Sequence, residues 1–387
     1  MKRVIAVVTG SRADYGLLRP LIKTLMRDGR ARVDLIATGS HLDPRFGRTA
    51  SEIVSDGFRT AARIPLGRFD DSPRGVADAM GRATSGFARA YARLKPDLIV
   101  VLGDRWEILA AASAALPFRI PVAHIHGGEA SEGLIDEQIR HAVTKLSHIH
   151  FPVTALYRRR LLSLGEEPHR VHLVGAPGLD GLKDLPLWTR GRLERELRLP
   201  PARPLGLLTY HPVTLEAGAA EREISALLRA IDGFRDVFWV LTLPNAETEF
   251  KTVIEKLRAF VRARPDRAAA FSSLGRLRYL SLMKAAAVVA GNSSSGILEA
   301  PSFRVPAINV GSRQDGRLKP RSVIDVPRPS AGALRRALSQ ALSPAFNRSL
   351  KGLKNPYAGR NSCARIAGVL LSVPLEERLL MKKLKVR

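Results

Sequence analysis

With 387 residues, of which 45% are hydrophobic, the chain is too long for one ordinary domain and can build the cores of two. No apolar run reaches the roughly 18 residues that would span a membrane, and the single cysteine, Cys363, excludes an intrachain disulfide and a multi-cysteine metal site, so we expect a cytoplasmic protein. The charge balance of 62 basic against 36 acidic residues would suit a nucleic acid, but the basic residues are scattered, so we expect neither nucleic acid nor membrane as a partner.

The N-terminal half alternates short apolar segments with helical patterns. The predicted strands are residues 4–8, 33–38, 98–102, 122–125, 148–153 and 171–174. The predicted helices between them include residues 16–27 and 77–94. This alternation is typical of βαβ units around a parallel sheet, and strands that are apolar throughout indicate helices on both faces.

Glycine and proline interrupt the pattern at residues 175–178 and 199–204, after which the alternation resumes. The strands predicted there are residues 205–210, 237–243, 286–290 and 307–310, with helices at 216–231, 247–264 and 276–285. We therefore predict an α/β protein with two Rossmann-like, doubly wound parallel-sheet domains, at residues 1–178 and 179–356. A C-terminal helix within residues 357–387 is expected to pack on the first domain, and the basic tail 381–387 is predicted to be a solvated end.

Ligands of doubly wound sheets bind at the carboxyl ends of the strands, so we expect the site in a cleft between the two domains. Arg12 stands where the first strand turns into a helix, and with the neighbouring amides it forms a candidate anion site. A structural turn explains that segment equally well. Asp104 and Arg105 follow the strand at 98–102, either as site residues or with Asp104 as the cap of the next helix.

The densest group of ionisable residues follows the strand at 122–125. It contains His126, Glu129 and Asp136, and the two glycines at 127 and 128 let a backbone approach a ligand closely. Asp136 and Arg140 lie one turn apart on one helix face, so the alternative is a surface ion pair beside core histidines. A metal site is a further alternative, but the spacing of the histidines fits none of the usual motifs and we expect no metal.

In the second domain the candidate residues again follow predicted strands. His211 ends the strand at 205–210 and Asn245 follows the strand at 237–243. Ser293 and Ser294 open a helix after the strand at 286–290, where three serines and two glycines form a candidate phosphate cradle. Glu299 lies one turn further and is placed to accept hydrogen bonds from ribose hydroxyls. Arg313 follows the strand at 307–310, and its guanidinium suits a phosphate.

Taken together, the segments GSRADYG, LGDRWE, HIHGGE, RHAVTKLSHIH, YHP and GNSSSGILEAPSF follow one another over nearly the whole chain. In this order they resemble the hydrolysing UDP-N-acetylglucosamine 2-epimerases of the sialic and legionaminic acid pathways. The resemblance implies a GT-B fold and a nucleotide-sugar substrate. It also implies release of UDP with N-acetylmannosamine, or with the 2-epimer of the 2,4-diacetamido analogue. We expect no cofactor, and a homodimer.

The resemblance also implies roles for single residues. Asp104 and Asp136 match catalytic carboxylates, and the positions that match contacts to the nucleoside diphosphate are Arg12, Arg105, His211, Asn245, Ser293, Ser294 and Glu299. Where some family members have His-Ile-Glu, this chain has a histidine at 126, which we place in substrate binding. Glu129 is the carboxylate that could compensate, so the assignment of acid and base stays open.

The chemistry explains why such residues are needed. The C2 proton of the sugar has no adjacent carbonyl, so it becomes acidic only as UDP leaves and positive charge builds at C1. Arg12, His211 and the serines would stabilise the departing diphosphate. Asp104, Glu129 and Asp136 are the candidate bases. A retaining glycosyltransferase of the same fold is the alternative enzyme, and a basic nucleic-acid-binding protein is the alternative from another class.

Overall fold

The structure is a computed structural model that describes residues 2–44, 49–70, 72–132, 134–213, 218–244 and 250–384. Its strands are β1 Arg3–Thr9, β2 Ala31–Thr38, β3 Thr60–Ile64, β4 Leu98–Leu102, β5 Val122–Ile125, β6 Ile149–Phe151, β7 Leu205–Thr209, β8 Phe238–Thr242, β9 Ala268–Phe271, β10 Val288–Gly291, β11 Ala307–Val310 and β12 Val323–Val326.

The α-helices are α1 Arg12–Arg27, α2 Ala50–Ser55, α3 Pro73–Leu94, α4 Trp106–Ala115, α5 Asp136–Leu146, α6 Ala155–Ser163, α7 Arg190–Leu197, α8 Ala219–Ile231, α9 Phe250–Ala263, α10 Gly275–Ala285, α11 Ser295–Leu298, α12 Ala300–Phe303, α13 Ala331–Leu342, α14 Pro344–Ser349, α15 Ser362–Ser372 and α16 Glu377–Leu380. Short 3-10 turns lie at Gly39–His41, Pro168–Arg170, Pro177–Leu179 and Leu182–Asp184. Among the described residues, no helix is both long and apolar enough to cross a membrane.

The chain divides into two compact units. The first contains Met1–Glu129, Asp136–Lys183 and Tyr357–Arg387, and the second contains Ala130–Ile135 and Asp184–Pro356. Each unit has one six-stranded sheet, in the order β3-β2-β1-β4-β5-β6 in the first and β12-β11-β10-β7-β8-β9 in the second. All strand pairs are parallel. The predicted class of two doubly wound parallel sheets is confirmed.

The first sheet is covered on both faces, as its unbroken apolar strands predicted. Along β1, Ile5 and Val7 pack with the buried side of α1 and with α15, whereas Ala6 and Val8 pack with α3 and α4. The second sheet is built in the same way, with α8, α9 and α13 on one face and α7 and α10 on the other. Alternate side chains of each strand therefore pack into two separate hydrophobic cores, one on each face of the sheet.

Three strands were not predicted from the sequence: β3, β9 and β12. Each lies at an edge of its sheet and is partly exposed, and Ala268–Phe271 is apolar but mostly alanine, which is depleted in strands. Conversely, the strand predicted at 171–174 is wrong. Those residues make only one isolated bridge, from His150 to Val171, because Pro152 directly follows β6 and has no N–H to extend a ladder.

The predicted solvated C-terminal end is also wrong in part. Residues 385–387 lie outside the described residues, but Lys382 folds back onto the first unit, where its Nζ lies 2.8 Å from Glu166 Oε2. Arg170 holds the same segment by donating to the carbonyl oxygens of Leu379 and Met381 at 2.6 and 2.8 Å. The tail is therefore tied to the first unit by buried polar contacts.

Candidate functional site

The predicted site residues of the first unit follow neighbouring strands. Arg12 comes after β1, Asp104 and Arg105 after β4, and His126 with Glu129 after β5. These three strands are adjacent in the sheet. Since they are parallel, their carboxyl ends share one edge, which is where doubly wound sheets bind ligands.

In the first loop the backbone amides serve the fold. The buried Asp14 carboxylate accepts hydrogen bonds from Gly10 N at 2.8 Å, Ser11 N at 3.1 Å and Thr9 Oγ1 at 2.6 Å. Ser11 in turn caps α1 through its own side chain. The Gly10 and Ser11 amides therefore stabilise the turn, as the structural-turn alternative predicted. An external anion would have to compete with the Asp14 carboxylate for them. Arg12, half-buried at the start of α1, stays a predicted ligand-binding residue.

A buried arginine, Arg140, joins the candidate carboxylate Asp104 to the neighbouring Glu137. Arg140 Nη2 forms an ion pair with Asp104 Oδ2, and Arg140 Nη1 lies 2.5 Å from Glu137 Oε2. The Asp104 side chain does not cap α4, because the N-cap residue of that helix is Arg105. Asp136, which opens α5, precedes Glu137 directly. Arg140 thus places Asp104 beside the first turn of α5, a long-range contact that sequence spacing did not reveal.

A second buried carboxylate, Glu107, was missed by the sequence analysis. Its Oε1 accepts from Arg105 Nε at 2.8 Å, and its Oε2 has no hydrogen-bond partner among the described residues. A Cβ at Gly10 or Gly39 would lie 2.9 Å from Glu107 Oε1, so both glycines give this carboxylate its space. The available signal was one acid at the start of an otherwise apolar helix, EILAAASAA.

His126 and Glu129 form a buried pair. His126 Nδ1 lies 2.6 Å from Glu129 Oε1, and His126 has a left-handed backbone with φ of +67°. The close approach of the double glycine is to the protein itself, since a Cβ at Gly128 would lie 2.5 Å from Tyr157 O, and its approach to a ligand stays a prediction. The two residues are therefore held in one rigid loop.

The neighbouring His124, His148 and His150 are buried and have protein partners, as the core-histidine alternative predicted. His124 Nε2 donates to Gly103 O at 2.8 Å, and burial lowers the pKa of His124 to about 3. Burial also lowers the pKa of His148 to about 4, and it accepts from Val122 N. His150 pairs with Glu166 at 2.9 Å.

In the second unit the predicted residues also share one sheet edge. His211 follows β7, Ser293, Ser294 and Glu299 follow β10, and Arg313 follows β11, which are three adjacent strands. Asn245, predicted after β8, lies outside the described residues. Ser293, Ser294, Glu299 and Arg313 are half-buried, so their side chains reach the surface of the unit.

Two amide side chains, missed from the sequence, connect these loops. Asn292 hydrogen-bonds both the N–H and the C=O of His211, each at 2.7 Å. Gln314 Nε2 in turn donates to Asn292 O at 2.8 Å. The loops after β7, β10 and β11 are therefore held together by side-chain to backbone bonds.

A chain of hydroxyl groups lies beneath the serine loop. Ser293 Oγ lies 3.0 Å from Ser295 Oγ, which lies 2.6 Å from the hydroxyl of Tyr279, another residue that the sequence analysis missed. Burial raises the pKa of Tyr279, so it stays a neutral donor. Ser294 is the N-cap residue of α11 but makes no capping hydrogen bond. Ser293 Oγ instead accepts from Ser295 N at 3.4 Å, and Ser294 stays a predicted ligand-binding residue.

Known proteins resemble this chain over most of its length. A family model described as UDP-N-acetylglucosamine 2-epimerase matches residues 23–371. A protein of Campylobacter jejuni named GDP/UDP-N,N'-diacetylbacillosamine 2-epimerase (hydrolyzing) is 40% identical over 324 residues, 84% of each chain. One of Legionella pneumophila named UDP-N,N'-diacetylbacillosamine 2-epimerase (hydrolyzing) is 35% identical over 383 residues, 99% of each.

Solved structures show the same fold. The UDP-GlcNAc 2-epimerase of Neisseria meningitidis, bound to UDP-GlcNAc, has a TM-score of 0.81 at 18% identity, covering 95% of this chain and 99% of that one. The Methanocaldococcus jannaschii enzyme in complex with UDP-GlcNAc and UDP has a TM-score of 0.77 at 20% identity, with the same coverage. These likenesses confirm the predicted GT-B fold.

Proposed function

Because the chain belongs to the UDP-N-acetylglucosamine 2-epimerase family, we propose that it is a hydrolysing 2-epimerase, which converts a UDP-activated 2-acetamido sugar and water to UDP and the free 2-epimer. The observation that carries the proposal is the match, over 99% of both chains, to a relative named as a hydrolysing epimerase. The geometry agrees, since candidate proton-transfer groups are gathered at one sheet edge of the first unit. This combination favours the epimerase over the retaining glycosyltransferase.

The proposed substrate is UDP-N,N'-diacetylbacillosamine, the 2,4-diacetamido sugar nucleotide. Support comes from the names of the two relatives at 40% and 35% identity. UDP-N-acetylglucosamine is the alternative, which a Neisseria meningitidis relative at 33% identity carries in its name. The enzyme would then supply legionaminic acid or sialic acid synthesis, respectively.

We assign binding of the nucleoside diphosphate mainly to the second unit. His211, Ser293, Ser294 and Arg313 offer hydrogen-bond donors along one sheet edge, and Glu299 offers an acceptor for ribose hydroxyls. Donors held in place before the reaction stabilise the charge that develops on a leaving diphosphate. Arg12 and Arg105 of the first unit, together with Asn245, complete the proposed set.

We assign the chemistry at C2 to the first unit. As UDP departs, positive charge at C1 acidifies the C2 proton, which a positioned base removes to give a glycal. Water then adds at C1 while an acid returns a proton to the opposite face of C2. Asp104, Asp136 and Glu129 are the proposed participants, and the ion pair of Arg140 with Asp104 supports a fixed geometry for that carboxylate.

The test is NMR of the products from each nucleotide sugar incubated with the enzyme alone. We expect UDP and a free 2-epimer from UDP-N,N'-diacetylbacillosamine, with slower turnover of UDP-N-acetylglucosamine. Asp104→Asn and Asp136→Asn should each abolish turnover and leave UDP affinity nearly unchanged, whereas the surface variant Asp28→Asn should behave like the unaltered enzyme. Absence of a free 2-epimer from both sugars would refute the function, and full activity in both site variants would refute the roles.

We propose further that the enzyme is a homodimer and acts in the cytoplasm. A single, buried cysteine suits a reducing compartment. Sedimentation equilibrium measures the oligomeric state, and a monomer at micromolar concentration would contradict the dimer. Cell fractionation tests the compartment.

A further inference from the structure

We propose that His126 and Glu129 act as a dyad, in which His126 Nε2 removes the C2 proton and Glu129 positions the imidazole. This inference rests on the proposed epimerase function and changes its base from a carboxylate to a histidine. Nδ1 of His126 lies 2.6 Å from Glu129 Oε1, and the two side chains are only 6% and 2% exposed. The pair is thus a short, nearly dry hydrogen bond at the carboxyl end of β5.

The hydrogen bond fixes which nitrogen can act as a base. A carboxylate can only accept, so Nδ1 donates to Glu129, and whenever the imidazole is neutral its lone pair lies on Nε2. Among the described residues, Nε2 of His126 is buried and has no hydrogen-bond partner. A buried acceptor without a partner costs free energy, and none of the described residues offsets that cost at this nitrogen.

The other histidines of this region differ in position. His124 and His150 each also have one buried nitrogen without a partner among the described residues, but both lie inside strands, and their other ring nitrogens bond Gly103 O and Glu166 Oε2. His126 lies one residue beyond the end of β5, in the loop where ligands of parallel sheets bind. Position at the sheet edge, rather than burial alone, therefore selects His126.

The loop is held on several sides. His126 N donates to Phe151 O at 3.2 Å, which ties the loop to β6. Glu129 O accepts from Arg140 Nη1 at 3.0 Å, which ties it to α5. Gly128, with φ of +76°, approaches Tyr157 O so closely that any Cβ would collide with it. The dyad is therefore preorganised before a substrate binds.

His126 also has a backbone conformation that non-glycine residues rarely adopt. Its φ of +67° is in the left-handed region, where a side chain is kept at an energetic cost. Glycine would relieve that cost, yet the position carries an imidazole that points to Glu129. Backbone strain that is retained together with a specific side-chain contact indicates that the side chain is needed there.

The C1–O bond to the diphosphate breaks and its electron pair leaves on the UDP oxygen. The C2–H proton passes to His126 Nε2, and the electrons of that bond form the C1=C2 double bond of the glycal. The resulting imidazolium is stabilised by the Glu129 carboxylate and later releases its proton to solvent. In the second step an acid gives a proton to C2 and water gives hydroxide to C1, with the remaining water proton restoring the acid.

The first experiment measures UDP release by His126→Gln and His126→Asn, with whichever nucleotide sugar the unaltered enzyme turns over. Removal of a general base costs about 10²–10⁴ in rate, so we expect kcat to fall by that factor while KM and UDP affinity change little. Asparagine tolerates the left-handed backbone, so its loss of activity is not a conformational effect. His124→Gln is the matched control and should keep at least one third of kcat.

The second experiment tests whether Glu129 acts through His126. Glu129→Gln alone should lower kcat by about tenfold or more with little change in KM, because the amide can stabilise the wrong tautomer. The double variant His126→Gln, Glu129→Gln should be no slower than His126→Gln alone, since residues that act as a unit are not additive. Glu129→Asp, which keeps a carboxylate, should recover part of the rate.

The outcomes separate the dyad from the function. An unaltered enzyme that releases no UDP from either sugar overturns the epimerase proposal itself. An active enzyme whose His126→Asn variant keeps a third or more of kcat overturns the dyad alone. Multiplying effects in the double variant would show that Glu129 works independently of the imidazole, which also contradicts the dyad.

Discussion

The side-chain amide of Asn292 hydrogen-bonds both backbone polar groups of His211, as acceptor from its N–H and as donor to its C=O, each at 2.7 Å. The two residues are 81 positions apart and follow different strands, β10 and β7. The side chain of Asn292 is fully buried, so both bonds are shielded from water. Asn292 therefore sets the backbone of the histidine that we place at the diphosphate.

Asn292→Asp should weaken both the fold and UDP binding. The substitution keeps the shape but replaces the donor with an oxygen that faces His211 O, which costs about 1–3 kcal/mol for a buried pair. We expect a loss of that size in the free energy of unfolding by urea, and at least fivefold weaker UDP binding by calorimetry. Asn347→Asp, which also removes donor bonds to two backbone carbonyls but lies in α14, should leave UDP affinity unchanged.

The glycine at position 39 should be irreplaceable for steric reasons. A Cβ there would lie 2.5 Å from Gly10 O and 2.9 Å from Glu107 Oε1, whereas at Gly29 nothing lies within 4 Å; both have positive φ. Gly29→Ala should therefore cost only the backbone penalty of about 1–2 kcal/mol. Gly39→Ala should cost about 1–3 kcal/mol more, measured by urea unfolding. Equal losses of unfolding free energy in the two variants would mean that the loop around Gly39 shifts to accommodate the Cβ at no cost.

The sequence predicted most of the fold because buried parallel strands have a strong local signature. The strands at 98–102, 122–125 and 307–310 were predicted to the residue. The edge strands β3, β9 and β12 were missed because each is partly exposed and has a weak strand signal, as in AAAF, which is mostly alanine, and VIDV, which an aspartate interrupts. Tertiary position, not local propensity, makes those segments strands.

For the candidate site, the sequence predicted which residues lie at the ends of strands, but not which side chains contact one another. The rule that ligands bind at carboxyl ends placed Asp104, His126 and Ser293 correctly in loops at the sheet edges. It could not reveal Arg140 beside Asp104, or Asn292 on His211, because these contacts join residues 36 and 81 positions apart. No local spacing encodes which side chains meet across neighbouring strands.

Buried histidines should lower the free energy of unfolding already at pH values above those at which the carboxylates become protonated. Burial lowers the pKa of His124 from 6.5 to about 3, so between those values the unfolded chain binds a proton that the folded chain does not. Stability therefore falls as the pH drops below 6.5, by up to about 1.4 kcal/mol per pH unit for one histidine. In the folded protein the added proton would lie on His124 Nδ1, a buried atom that has no hydrogen-bond partner among the described residues.

His124→Gln checks this assignment. Its amide can still donate to Gly103 O, but it cannot take up a proton in the unfolded state. The slope of the unfolding free energy against pH, measured between pH 6 and 4.5, should decrease by about one proton. The exposed His169→Gln variant is the control for loss of an imidazole at the surface. An unchanged slope in His124→Gln would show that this histidine titrates in the folded protein.

The tail residue Lys382 should stabilise the first unit, in contrast to its exposed neighbour Lys383. Burial alone would raise the pKa of Glu166, but hydrogen bonds from His150, Lys382 and Lys145 hold it down to about 2. The stability from this depressed pKa is present above pH 4.5 and is lost as the pH falls toward 2.

Lys382→Ala removes one of these partners, so at pH 7 we expect a loss of about 1–3 kcal/mol in urea unfolding. Lys383→Ala should change stability by less than about 0.5 kcal/mol. Should the two variants unfold at the same urea concentration, the observed contact between Lys382 and Glu166 would contribute nothing in solution.

Tyr279 should tune the serine loop without taking part in the reaction. Its hydroxyl lies 2.6 Å from Ser295 Oγ and 3.3 Å from Thr209 Oγ1. Tyr279→Phe leaves Ser295 without this buried partner, and one such hydrogen bond is worth about 1 kcal/mol. If the loop binds the diphosphate, UDP affinity should fall about fivefold, with kcat at saturating substrate almost unchanged.

Tyr91→Phe is the matched control, because it removes another buried tyrosine hydroxyl, which donates to Ala111 O at 3.1 Å in the first unit. Tyr279→Phe should lose at least as much stability as Tyr91→Phe, since its hydroxyl has two partners and that of Tyr91 has one, but only Tyr279→Phe should weaken UDP binding in calorimetry. If the two variants bind UDP with equal affinity, the chain of hydroxyl groups does not contribute to ligand binding. Tyr279→Phe would then affect only the stability of the fold.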